Sequence, residues 1–171
     1  MISIREEKTG DIPAIRALNE HAFGGRAEAN VVDKLRQTCD GLLSLVAVDG
    51  GNIIGYILFS PATVESEHGT ICGMGLAPVA VIPERQCQGV GSALVRHGLA
   101  RLRERDCPFV IVLGHPKYYP RFGFEPASRY GLKSQWDGVP DEAFMVIVFD
   151  QGTMKGVHGV ARYRDEFDEA M

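Results

Sequence analysis

The sequence predicts an α/β domain built on a mixed sheet, and three observations carry that expectation. Residues 42–82 hold three apolar runs separated by tight polar turns, the pattern of an antiparallel meander. Residues 75–113 read as strand, glycine turn, amphipathic helix and strand. That is a β-α-β unit, which demands a parallel strand pair and a right-handed crossover. Two helical stripes precede the meander, and a last apolar run at 143–149 follows the β-α-β unit.

The elements follow in order. Ile2 to Glu6 is a short strand. Thr9 and Asp11 offer helix N-cap chemistry, and Ile12, Ile15, Leu18 and Phe23 then recur at helical spacing until Gly24-Gly25 breaks the pattern. Glu28 to Thr38 is a second helix with Val31, Val32 and Leu35 inward. Leu42 to Val48 is a strand, Asp49-Gly50-Gly51-Asn52 a hairpin turn, and Ile53 to Val64 the returning strand. Glu65 to Gly69 turns again, and Thr70 to Ile82 is the fourth strand of the chain. Pro78 lies inside it. A proline has no N–H to give a central ladder, so an edge or a bulge is expected there. Helical spacing of Ala93, Leu94, Leu99 and Leu102 marks the long helix, and Phe109 to Leu113 is a buried fifth strand. Residues 127–142 are polar and read as one long loop, an expected binding loop. Ala143 to Phe149 is a further strand. Beyond Asp150, Val157 to Tyr163 is a candidate strand, and the acidic end from Asp165 to Glu169 reads as solvated helix or fraying terminus. The expected division is a domain over 2–150 and a C-terminal extension over 151–171.

Composition narrows the function classes. A chain of 171 residues with 45% hydrophobic content suits a single globular domain. Its net charge of −4 argues against a nucleic-acid partner, which usually requires a basic face. No apolar run is long enough for a transmembrane helix, and Glu6 and Glu7 leave no signal-peptide core, so a cytoplasmic protein without a membrane partner is expected. Cys39, Cys72, Cys87 and Cys107 show no C-x-x-C spacing and are expected as free thiols. The five histidines are scattered, so no metal site is expected.

The stretch with chemical content is the turn Gln86-Cys87-Gln88-Gly89-Val90-Gly91, which opens the long helix. Backbone N–H groups at a helix start have no intrahelical partner. The helix dipole adds about 0.3–1 kcal/mol for an anion there. Gly89 and Gly91 permit close approach of a ligand to the backbone. A phosphate or pyrophosphate is the expected ligand. A Walker A loop is excluded because no Lys-Ser/Thr follows the glycines, and the dinucleotide fingerprint fails because Leu94 stands at its third glycine. The pattern Gln/Arg-x-x-Gly-x-Gly/Ala is met by Gln86, Gly89 and Gly91. It resembles the acetyl-CoA pyrophosphate site of the GNAT family of N-acetyltransferases.

A second point of resemblance is Tyr119-x-x-x-Gly123-Phe124, after the fifth strand. The fuller string from Gly114-His115-Pro116 through Tyr118, Tyr119, Pro120, Arg121 and Phe122 to Phe124 is similar to a bacterial GNAT subfamily of mostly predicted acetyltransferases. Together the two motifs and the β-α-β order extend the resemblance over residues 2–150. It implies a GNAT acyl-CoA N-acyltransferase fold, with a mostly antiparallel sheet splayed between the fourth and fifth strands and flanked by helices. Acetyl-CoA would occupy the splay as co-substrate. Carried over, Val79, Ala80 and Val81 would meet the pantetheine. Gln86, Cys87, Gln88, Gly89, Val90, Gly91 and Ser92 would hold the pyrophosphate. Tyr119 would protonate the departing thiolate as general acid, with Tyr118 as the fallback. The two N-terminal helices would flank the acceptor entrance.

The implied activity is transfer of acetyl from acetyl-CoA to a primary amine by direct attack in a ternary complex. No carboxylate occurs between Cys72 and Val81, where many relatives carry a glutamate base. The base is therefore open among a water chain, His115, Glu65, Glu67 and Glu28. Cys87 could form an acyl-cysteine, since a cysteine at a helix start can react as the thiolate. Two further readings stand beside the enzyme: a catalytically weak acyl-CoA-binding or sensing module, and a nucleotide-binding regulatory domain. A small-molecule acceptor is favoured over a protein amine, because no acidic peptide-binding run is visible. An exposed last strand or the tail is open to a homodimer contact.

Overall fold

A computed structural model describes residues 1–171 in full. The contacts divide into two compact units, Met1–Phe59 with Pro78–Leu99 and Asp165–Met171, and Ser60–Ala77 with Ala100–Arg164. No helix is long and apolar enough to cross a membrane.

The first unit contains β1 (Ile2–Glu6), α1 (Ile12–Phe23), α2 (Ala27–Thr38) and β2 (Leu43–Asp49). It also holds the start of β3 (Asn52–Ser66), the end of β4 (Gly69–Val81) and the start of α3 (Val90–Glu104). β2 pairs antiparallel with β1 on one side and with β3 on the other. The helical stripes behave as their spacing demands: Ile15 and Leu18 on α1, and Val31, Val32 and Leu35 on α2, are buried. Phe23 is the exception at 42% exposure, because the chain leaves the helix at Gly24, whose φ is +70°. On α3, Val90, Leu94 and Gly98 stand at i, i+4 and i+8 and face β3. A Cβ on Gly55 would come within 2.9 Å of Val90, and one on Gly98 within 2.2 Å of the Phe59 ring. Two glycines thus let helix and strand approach closely, which sets the direction from which α3 emerges. The acidic end does not fray. Residues Asp165–Ala170 form a 3-10 helix with Phe167 buried, and Glu169 pairs with Lys34 of α2.

The second unit holds β5 (Phe109–Leu113), β6 (Glu125–Pro126), β7 (Leu132–Ser134), β8 (Phe144–Val148), α4 (Gln151–Met154) and β9 (Gly159–Arg162). β4 and β5 are parallel over Met74↔Val110 to Leu76↔Val112, as the β-α-β order requires. β8 pairs antiparallel with β5 and β6. β9 lies antiparallel to β3 at Thr63–Glu65 and parallel to β7. The sheet is therefore mixed. Two expectations change here. Residues 127–142 are not one long loop: they fold into 3-10 turns at Ala127–Tyr130 and Asp141–Ala143 with β7 between. β7 is only three residues long, and its backbone is completed by β9 far along the chain, so no local period announces it. The candidate strand in the tail exists but is shorter, Gly159–Arg162, with Tyr163 buried just after it.

Candidate functional site

β4 carries the first part of the site. Its register with β5 ends at Leu76, although the strand continues to Val81. Burial falls on Gly73 and Gly75, then shifts to Leu76, Pro78 and Ala80. Gly75 and Leu76 still pair in step with Ile111 and Val112, so the strand is regular to Leu76. Beyond it the backbone changes direction. The Leu76 carbonyl is aimed toward the β5 side, where it accepts from a tyrosine hydroxyl, whereas the Ile82 N–H donates to Ile54 of β3 at 2.9 Å. Groups six residues apart should point the same way in an unbroken strand. Pro78, without an N–H, lies between these two groups. Val79 and Val81 are half-buried and Ala80 is buried, on the stretch where β4 has no register with β5.

The turn that follows belongs to the first unit. Pro83–Arg85 form a short 3-10 helix, held by Arg85 Nη1 on Asp49 Oδ2 at 2.7 Å. The Gln86 side-chain amide donates to the Val81 carbonyl at 3.0 Å, and that of Gln88 donates to the Glu84 carbonyl at 3.1 Å. Both glutamines therefore brace the turn through its own carbonyls. Cys87 has φ +60° and Gly89 φ +87°. Cysteine in the left-handed region is uncommon and shows how firmly the turn is set. Ala93 N–H donating to the Gly89 carbonyl at 3.0 Å is an early bond of α3. The N–H groups before it have no intrahelical acceptor, and Gln86 to Gly89 are exposed. Gly91 and Ser92 are half-buried and Val90 is buried. The turn offers backbone donors and the positive end of the α3 dipole. A Cβ on Gly89 would meet nothing within 4 Å. Such a turn at a helix start is a candidate anion site.

Tyr119 belongs to the second unit. It opens a 3-10 helix, Tyr119–Phe122, which ends at Gly123 with φ +102°. Its ring lies against the chain at the end of β5: a Cβ on Gly114 would be 2.3 Å from it. Edge-to-face contacts with Tyr118 at 5.1 Å and Phe124 at 5.7 Å fix it further. Burial, and secondarily Tyr118, pushes its hydroxyl up to about 12. Tyr118 instead carries Arg121 over its ring at 4.6 Å. His115 is exposed, and its Nδ1 accepts the Lys117 N–H at 3.2 Å. Glu65 is exposed beside Arg162 at 3.6 Å, Glu67 is exposed, and Glu28 is half-buried in the first turn of α2. No geometry singles out one of them as a base.

Burial likewise raises the hydroxyls of Tyr56 and Tyr163. For each tyrosine the folded value lies above the unfolded one. The stability it contributes is complete below about pH 10 and is lost as pH rises through the folded value, about 12 for Tyr119. Urea unfolding is expected to show stability falling steadily above pH 10. An unchanged midpoint at pH 11.5 would show that these hydroxyls remain solvated in the folded chain.

Sequence reasoning missed Tyr163. Its hydroxyl donates to the Leu76 carbonyl at 2.9 Å and accepts the Leu113 N–H at 3.3 Å. The available signal was Gly73 and Gly75 inside a strand, since such glycines mark close approach by another group. A Cβ on Gly75 would be 2.6 Å from the Tyr163 ring.

Residues 3–127 match the family model described as an acetyltransferase (GNAT) domain. The chain is 39% identical over 168 residues to the Escherichia coli protein named uncharacterized N-acetyltransferase YhbS, covering 96% of this chain and 98% of that one. A crystal structure of the Escherichia coli YhbS protein in complex with CoA matches with a TM-score of 0.89 and 38% identity, over 98% of this chain and 92% of that one. A GNAT family acetyltransferase from Brucella melitensis, in complex with acetyl-CoA, matches with a TM-score of 0.79 and 32% identity, over 98% and 99% of the two chains.

Proposed function

Because the chain belongs to the GNAT family of acetyltransferases, we propose that it transfers an acetyl group from acetyl-CoA to a primary amine, by direct attack in a ternary complex. The observation that carries this reading is the braced glycine turn from Gln86 to Ser92, exposed over Gln86 to Gly89, whose backbone N–H groups would suit a pyrophosphate. Relatives crystallised with CoA and with acetyl-CoA support the choice of anion. The backbone of Val79 to Val81, on a stretch without β5 register, would pair with the pantetheine amides as an added strand does.

In the reaction the amine nitrogen attacks the thioester carbonyl carbon, the C–S bond breaks, and the nitrogen sheds a proton. An alkylamine of ordinary pKa near 10.4 is neutral in roughly one molecule in 2,500 at pH 7, a cost of about 4–5 kcal/mol unless the site lowers it. A β4 N–H near Val79 would donate to the oxyanion. Tyr119 would donate to the leaving sulfur. A hydroxyl at about 12 is a weaker acid than an ordinary thiol near 8.5. Its contribution is therefore a hydrogen bond that strengthens as charge grows on sulfur, with the proton passing once desolvation has made the thiolate basic enough. The nitrogen's proton leaves by a water chain, with His115, Glu65, Glu67 and Glu28 as its candidate ends. A small amine is the favoured acceptor. Cys87→Ala is expected to keep turnover and acetyl-CoA affinity within twofold. Loss of turnover with affinity intact would replace direct transfer by an acyl-cysteine route.

Calorimetric titration with acetyl-CoA, against ATP and NAD as controls, tests the reading. Selective binding of acetyl-CoA supports it and opens an amine screen for release of free CoA. Binding of ATP or NAD instead would overturn it. A second reading, an acyl-CoA-binding or sensing module, is favoured by one observation: β4 offers no carboxylate from Cys72 to Val81. Tight acetyl-CoA binding without transfer to any amine would select it.

A further inference from the structure

Asp49 is the last residue of β2, and rigid neighbours set its place. It pairs with Asn52 across the two-residue turn Gly50-Gly51, which closes the β2–β3 hairpin. Both glycines have positive φ, +58° and +81°, as in the tight turns whose twist matches the strands they join. On its other side Asp49 pairs with Ile2 of β1. The β2–β3 register shifts between Ala47 and Val48, and Ile54 falls in the shift. The Ile54 carbonyl accepts the Ile82 N–H at 2.9 Å. The hairpin end and the chain that enters the glycine turn therefore meet, and both belong to the first unit.

The Asp49 carboxylate reaches across to that turn. Arg85 Nη1 donates to its Oδ2 at 2.7 Å, over 36 residues of sequence. Its Oδ1 accepts from the Met1 ammonium at 3.3 Å. The Arg85 guanidinium first, and the ammonium second, hold the Asp49 carboxyl below the usual carboxylate range, so it is charged at neutral pH. Arg85 is the last residue of the 3-10 helix Pro83–Arg85, and its N–H donates to the Ile82 carbonyl at 3.0 Å. Gln86 follows it directly. The braces at Gln86 and Gln88 are local, reaching back five and four residues to Val81 and Glu84. Local braces keep the shape of a loop but do not fix its orientation on the scaffold. The bond from Arg85 to Asp49 does, because its far end stands on a strand paired on both sides.

We infer that Asp49 is a positioning residue for the acyl donor: by holding Arg85 it ties the turn from Gln86 to Ser92 to the β2–β3 hairpin and keeps the turn's backbone donors in place for a pyrophosphate. This rests on the acetyl-CoA reading given above. Charge alone would act in the opposite sense. A carboxylate repels an anionic ligand, so removing it would tighten binding if Coulomb forces decided the outcome. Asp49 works against that repulsion, because a turn already oriented loses less freedom when its ligand binds. Its effect falls on donor affinity, and the chemical step is left to other groups.

The test is a double-mutant cycle read by calorimetric titration with CoA. Asp49→Ala is expected to raise the dissociation constant about fivefold, the upper range for an ion pair partly open to solvent, with kcat at saturating acetyl-CoA within about twofold of wild type. Arg85→Gln is expected to weaken CoA to the same degree. The double variant is expected to weaken it no further, since all three lose the same link. Asp49→Ala binding CoA as tightly as wild type, or more tightly, overturns the inference while leaving the acetyl-CoA reading intact. Losses that multiply in the double variant also overturn it, because the two side chains would then act separately. Arg85→Gln leaves the hairpin untouched, so unchanged CoA affinity in that variant overturns the inference however Asp49→Ala folds. No CoA binding by the wild-type protein overturns both the inference and the acetyl-CoA reading.

Discussion

Tyr119→Phe is expected to lower kcat about 100-fold or more while leaving the acetyl-CoA dissociation constant within twofold. The magnitude is that of a positioned proton donor, about 10²–10⁴-fold. The separation of the two constants follows from how the side chain is held. Its anchoring contacts are ring contacts, with Gly114, Tyr118 and Phe124, and phenylalanine reproduces all of them. In the proposed role, loss of the hydroxyl would remove one donor from the leaving sulfur and little else. The pH profile sharpens the test. With its hydroxyl near 12, Tyr119 stays protonated across the working range, so the rise of kcat/KM with pH should report the acceptor amine alone. The variant should lower the whole profile without moving its limb. A variant as active as wild type would pass the role to Tyr118, and Tyr118→Phe would then carry the loss. Weakened CoA binding with unchanged kcat would make Tyr119 a wall of the donor site.

Gly89→Val is expected to raise the acetyl-CoA dissociation constant at least ~30-fold, with a small change in unfolding temperature. Two physical effects act on one position. Gly89 has φ +87°, and a β-branched residue there is a true outlier, costing on the order of 1–3 kcal/mol. The turn can escape that strain only by rotating the peptide groups that form the cradle. If it does not rotate, the new methyl groups project into the open space beside the turn, where nothing in the chain lies within 4 Å of the added Cβ. Either way a pyrophosphate bound at this turn, as proposed, would lose donors or room. The same open space explains why the fold should tolerate the change, unlike at Gly98, where a Cβ would meet Phe59 at 2.2 Å. Gly89→Ala should fall between wild type and valine. Calorimetry on both variants is the measurement, and wild-type affinity in Gly89→Val would remove the turn from the donor site.

The two predictions separate binding from chemistry. Gly89→Val should leave kcat at saturation near wild type, and Tyr119→Phe should leave binding near wild type. The shared outcome that would count against both is a uniform loss of affinity and rate with falling stability, which a urea titration detects directly.

The sequence by itself determined whatever depends on near neighbours along the chain. Apolar runs bounded by turn residues defined β2, β3, β4, β5 and β8, and the period near 3.6 defined α1, α2 and α3. The glycine turn before α3 was legible because its conformation is local, and the segment from Gly114 to Phe124 through its resemblance to the GNAT pattern. They need particular φ values, a helix start, or a ring over a glycine, and the residues supply these within a few positions. Pro78 signalled the break in β4 for a similar reason, since the missing N–H is a property of the residue itself. Tertiary structure alone decided the rest. β7 becomes a strand only because β9 pairs with it, and the acidic end is ordered only because Phe167 and Glu169 find α2 and its surroundings. Tyr163 is the clearest case. Its partner at Leu76 lies 87 residues away, and the hydroxyl acquires meaning only where two strands have already been brought side by side. Local pattern specifies which elements form. Contacts between residues far apart in the chain arise only once those elements pack, and no local period encodes them.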